Sequence, residues 1–229
     1  MSPFAAAAPQ IALSMNGKAG DGVSMSLQVV LLLTALTLLP AIIMSVTPFL
    51  RIIIVLHFLR QALGTQSTPS NQVLIGLALF LSLLLVQPVV SDVYAKAWEP
   101  LSKGEVSTTD AWQAATPPIK SFLLKYAREK DIELFVGLSH QPRPAKPADV
   151  SLTALVPAYV LSELKTGFQI GAVLFMPFLI IDVVVASVTL SVGMVQLPPV
   201  MISAPFKILL FVLVDGWNLV IGSLMKSFG

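Results

Sequence analysis

An all-α membrane protein, built from helical hairpins with a small helical extramembrane domain, is predicted by two features of this 229-residue sequence. The first is composition. Charged residues make up 11% and hydrophobic residues 55%, whereas a soluble chain carries about 25% charge. With so little charge the chain cannot cover a water-facing surface, and its mean hydropathy of +0.85 agrees. The second is segregation. No charge lies between Asp21 and Arg51 or between Arg60 and Asp92, and only Asp182, Lys207 and Asp215 interrupt Thr166 to Met225. These tracts are long enough for helices that need roughly 20 apolar residues to cross a bilayer.

Composition also excludes several function classes. The absence of cysteine removes disulfides and thiolate metal sites. A net charge of +2 is too small to argue for nucleic acid. His57 and His140 are far apart, so no metal or other cofactor is expected.

Residues 1–24 read as an N-terminal loop. Ala5 to Ala8 followed by Pro9 resemble the end of a secretory signal; a signal remnant and an ordinary tail both remain open. Residues 25–91 form a first hydrophobic hairpin, with apolar segments Met25–Phe49 and Val73–Val90. Pro40 is expected to kink the first. Arg51 and Arg60 flank the apolar run IIIVLHFL, Gly64 and Pro69 mark the turn, and Gly76 is expected to allow close helix contact.

Residues 92–150 differ in kind and are read as a periplasmic helical domain and linker. Nine basic and nine acidic residues fall between 92 and 165. Ser107 or Thr108 is expected to cap a helix that Pro117 and Pro118 end. Ile119, Phe122, Leu123 and Tyr126 share one helical face, opposite Lys120, Lys125 and Arg128. Asp131 is expected to cap another short helix, and the proline-rich stretch His140–Asp149 reads as a linker. Residues 151–229 form a C-terminal hairpin, with segments Gly167–Val192 and Val200–Leu224 joined by the turn Gly193–Pro199.

Asp182, Lys207 and Asp215 are the charges to explain, because each costs about 2.5–3.5 kcal/mol at the bilayer centre. Around a turn near residue 196, the depths of Asp182 and Lys207 differ by about 4–5 Å, so the two can pair within the hairpin or between subunits. A structural ion pair and a proton or ion relay both remain open; the relay would make the chain a secondary transporter or proton channel. Ser162 and Lys165 could form the dyad of a membrane peptidase, but beside Glu163 they read as ordinary interface polar residues. The chain lacks HExxH, GxSxG and the phosphate-binding loop, and no catalysis is expected.

Several long stretches resemble the FliP family of flagellar biosynthetic proteins. These are Leu155–Val188 (LVPAYVLSELKTGFQIGAVLFMPFLIIDVVVASV), Pro205–Leu224 (PFKILLFVLVDGWNLVIGSL), Pro48–Thr65 (PFLRIIIVLHFLRQALGT) and Pro69–Leu81 (PSNQVLIGLALFL). The last and FVLVDGW are more similar to the flagellar branch than to the virulence injectisome counterpart. The resemblance implies a subunit of the flagellar type III secretion export gate in the bacterial inner membrane, at the flagellar basal body. It implies a homo-oligomer of about five copies, assembled with FliQ-like and FliR-like proteins into a closed ring. Unfolded flagellar proteins would pass through its centre, in contact with other export components and membrane lipid. It also implies helices lifted out of the normal membrane plane on assembly. The family carries a run of methionines after the glycine equivalent to Gly193, which act as a pore gasket. Here Met194, Val195 and Gln196 occupy those places, and Met201 lies farther along. Phe175 falls near the implied constriction.

Overall fold

The structure is a computed structural model that describes residues 25–65, 67–139, 144–193 and 198–229. Every regular element among them is helical. The chain divides into two compact units at Pro40. The first is described from Met25, where helix α1 (Met25–Val46) begins. Its Leu31, Leu32, Leu36 and Leu39 all stand exposed. A helix apolar on every face is suited to lipid or to the interior of a larger assembly.

The second unit is organised around helix α2 (Phe49–Ala62), which the apolar segments of the sequence had left unassigned. Ile52, Val55, Leu56 and Leu59 of α2 are fully buried. Helix α3 (Asn71–Val93) packs on it and runs on, through a π-helical turn at Tyr94–Trp98, into α4 (Glu99–Ser102). Helices α5 (Thr108–Tyr126) and α6 (Glu129–Leu138) follow, then a single 3-10 turn at Pro147–Asp149. Helix α7 (Leu152–Ser191) leads to α8 (Pro199–Leu213) and α9 (Gly216–Lys226). Three helical stretches are long and apolar enough to cross a membrane, and α8 with α9, bent by 70°, provides a fourth if the two act together.

Several local expectations give way to tertiary structure. Helix α5 does not stop at Pro117 and Pro118 but contains both. The prolines remove two backbone donors, yet Leu123 beyond them is fully buried against Val150, Ala154, Leu155 and Tyr159, and that packing carries the helix through. The expected face is present, since Ile119, Phe122 and Tyr126 border the same cluster. Ser107 does cap α5, accepting the Asp110 amide at 3.2 Å. Helix α6 begins at Glu129, so Asp131 is not its cap; its carboxylate accepts the Ser162 hydroxyl of α7 at 2.7 Å. Within the linker, residues 140–143 lie outside the described residues.

The boundary at 92 is crossed by continuous helix, whereas α7 begins at Leu152, beside the boundary at 151. Helix α7 starts inside the polar region, with Ala154, Leu155 and Tyr159 in its core, and continues for 40 residues. At 1.5 Å per residue it is about 60 Å long, twice a hydrocarbon core of roughly 30 Å. The second segment of the C-terminal hairpin is not one helix. It breaks at Asp215, which adopts φ 51°, and a Cβ on the next residue, Gly216, would lie 2.2 Å from the Phe211 ring and force it to move.

Helices α2 and α7 run in parallel at a constant register. Arg51 meets Glu163, a Cβ on Gly167 would touch Ile54 at 3.2 Å, and one on Gly171 would strike the Phe58 ring at 2.6 Å. Small residues four apart let two helices approach this closely. Gly76 does not serve that purpose among the described residues, because its open side faces no atom of theirs within 4 Å.

Candidate functional site

Two buried ion pairs clamp α2 against the C-terminal helices, one at each end. At the start of α2, Arg51 Nε donates to Glu163 Oε2 at 2.9 Å, and Nη2 donates to the second carboxylate oxygen. This fork-to-fork geometry is the strongest common arrangement for an ion pair. The remaining nitrogen, Nη1, donates to the Ser227 carbonyl and hydroxyl, at 3.2 Å each. The guanidinium lies 3.9 Å from the Phe228 ring centroid, and the Tyr126 hydroxyl donates to the Phe228 carbonyl at 2.7 Å. Helices α2, α5 and α7 and the residues after α9 therefore meet at one guanidinium. Arg51 is 3% exposed and Glu163 0%.

At the far end of α2, Lys207 Nζ donates to Asp182 Oδ2 at 2.6 Å and to the Ala62 carbonyl at 3.0 Å. Ala62 is the last residue of α2, and its carbonyl has no partner within the helix. A cation there also complements the negative end of the helix dipole. Ser203 completes the group by donating to Asp182 Oδ1 at 2.5 Å. Lys207 is 1% exposed, while the Asp182 side chain retains 20%. The pair thus joins α2, α7 and α8 just below the turn between the last two.

The other residues singled out by sequence fall as follows. Asp215 is exposed at the α8–α9 break and joins neither pair. Glu163 is the sealed partner of Arg51, because the register of α7 on α2 turns it inward; Lys165, two positions on, faces outward. The Ser162 hydroxyl is committed elsewhere, donating to Asp131 and to the Ala158 carbonyl and accepting the Arg128 amide at 2.9 Å. It is fully buried, and no bond joins it to Lys165 among the described residues. Phe175 is half-buried beside the cluster of Leu59, Phe178 and Phe211. Met194, Val195 and Gln196 lie outside the described residues. The turn is described at its ends only, with Gly193 at φ +78° and Met201 exposed on α8. No group of three or more histidine, aspartate or glutamate side chains suited to a metal occurs among the described residues. Sequence reading missed Arg51 as a site residue; the signal available was its isolation in an apolar run, together with the Gly167-x-x-x-Gly171 spacing.

Comparison with known proteins places the chain plainly. The FliP family model matches residues 32–224. The chain is 51% identical over 208 residues to the flagellar biosynthetic protein FliP of Bacillus subtilis (strain 168), covering 91% of this chain and 94% of that one. It is 50% identical over 209 residues to FliP of Pectobacterium carotovorum subsp. carotovorum, covering 91% and 81%. For FliP of Treponema pallidum (strain Nichols) the identity is 46% over 208 residues, covering 90% and 77%.

Proposed function

This chain belongs to the FliP family, and on that premise we propose that it is a subunit of the flagellar type III export gate, through which unfolded flagellar proteins leave the cell interior. Several copies form a ring with FliQ-like and FliR-like proteins in the inner membrane, and the polar helices α5 and α6 face the periplasm. The chain performs no chemistry of its own. It shapes a passage and closes it.

One observation in particular supports this reading. A single copy leaves long apolar faces uncovered, among them Val173, Ile180 and Val184 of α7 and Leu209, Val212 and Leu213 of α8. Apolar surface on this scale marks contact with lipid or with other chains. Between the end of α7 and the start of α8 the sequence Gly193–Pro199 reads as a turn, which Pro198 and Pro199 mark. A ring of copies turns that loop into a collar, with Met194, Val195 and Gln196 directed inward. Methionine suits a seal that must yield to a passing chain, because its unbranched thioether repacks around irregular partners. The Asp182–Lys207 pair beneath the turn holds the hairpin to α2 and keeps the collar in register.

Co-expression with the FliQ-like and FliR-like proteins of the same cell, followed by native mass measurement in detergent, tests the assembly. The expected result is a hetero-oligomer containing several copies of this chain. A small homo-oligomer that takes up neither partner would overturn the reading.

A further inference from the structure

Three cations lie on α2 and α8 within the apolar body, and two of them hold carboxylates. The third, Arg60 in the last turn of α2, has no acidic group within 4 Å among the described residues. It is half-buried. Its Nη1 donates to Asn71 Oδ1 at 2.6 Å and more weakly to the Pro69 carbonyl at 3.4 Å. Its Nη2 donates to His57 Nδ1 at 3.2 Å. Because arginine cannot accept, that contact assigns the His57 proton to Nε2. Partial burial first, and the Arg60 guanidinium second, hold the imidazole below the usual histidine range, in keeping with a neutral ring. Among the described residues all the partners of Arg60 are therefore neutral, and none balances its charge.

The unused donors converge. His57, Arg60, Gln61 and Thr65, with Gly64 and Val200, line a cavity of about 440 Å³ that opens to the surface. The His57 Nε2 proton and the Gln61 amide have no partner among the described residues. Asp215, the acid of the apolar body without an ion-pair partner among the described residues, cannot supply the missing charge. It stands fifteen residues along α8 from Val200, about 20 Å away along that helix. The cavity also sits at a defined level, because Asn71, which anchors Arg60, begins the apolar stretch of α3. A bilayer spanned by α3 would present its phosphates beside that residue, and anionic lipid attracts basic side chains there.

We propose that the His57–Arg60–Gln61 cavity binds the phosphate oxyanion of an anionic phospholipid headgroup. This goes beyond the export reading and does not rest on it. The guanidinium supplies the charge and the directed donors, and His57 and Gln61 supply neutral ones, a combination suited to phosphate oxygens.

The test uses the full chain purified in mild detergent, with phosphatidylglycerol titrated and bound lipid counted by native mass spectrometry. Inorganic phosphate is titrated separately and followed by thermal melting. Gln61→Glu places a carboxylate beside Arg60 at an exposed position without disturbing the Asn71 anchor. His57→Phe keeps the ring shape and drops the donor. Wild type is expected to retain phosphatidylglycerol, Gln61→Glu to bind it about tenfold more weakly, and His57→Phe to show a smaller drop at unchanged melting temperature. Equal retention by wild type and both variants overturns the site. Free phosphate binding as tightly as the lipid overturns its assignment to the membrane surface.

Discussion

The ion pair at the start of α2 and the one at its end fasten the same helix, but in different surroundings. Arg51 and Glu163 are sealed from solvent, and among the described residues the carboxylate has no partner but the guanidinium fork. Asp182 keeps a fifth of its side chain exposed and a hydroxyl bond from Ser203, while its partner Lys207 is sealed. The lesson concerns what remains after one partner is removed. An ion left dry and unpaired is costly, whereas one that can still reach water or a hydroxyl costs less.

The largest effect is therefore expected at the first pair. Glu163→Ala or Arg51→Ala strands a fully buried charge and should lower stability by about 3–5 kcal/mol, read as a large fall in melting temperature of the purified chain. Arg51→Met combined with Glu163→Leu removes both charges and should recover most of that loss. If the double variant is no better than either single one, the charge itself is not the source of the cost.

The second pair should behave asymmetrically. Asp182→Ala leaves the Lys207 ammonium dry with only the Ala62 carbonyl and should cost about 3 kcal/mol. Lys207→Ala leaves Asp182 with Ser203 and partial access to water and should cost about 1–2 kcal/mol. Melting of the two variants side by side checks the order, and equal losses would mean that exposure does not govern the outcome.

The same contrast explains how much was legible in the sequence. Asp182 and Lys207 stand out because they interrupt a tract with almost no other charge, and hairpin arithmetic brings them to one depth. Glu163 has the deeper burial but sits at the end of a stretch where acids are common, so nothing local marks it. Its partner Arg51 closes an apolar tract and reads as a flank. Only the packing of α7 on α2, set by Gly167 and Gly171, brings them together, and contacts 112 residues apart carry no periodic signature. The polar helices were easier, since Leu123 and its neighbours repeat at helical spacing. Pro117 and Pro118 misled because a local rule against continuing a helix lost to a buried face beyond them. The break at Asp215 carried a readable Asp-Gly signal, which was masked by the apolar residues on both sides.

The most direct test of a gate closed by the α7–α8 turn is ion leakage through membranes carrying the assembled complex. Deleting Met194 to Gln196 is expected to leave assembly with the FliQ-like and FliR-like partners intact and to make the membrane permeable to small ions. Gln196→Met should tighten the closure or leave it unchanged, since it replaces a water-holding amide with a thioether. A deletion variant that assembles fully and stays ion-tight would contradict closure by this turn and move the search to Phe175 or to the FliR-like partner.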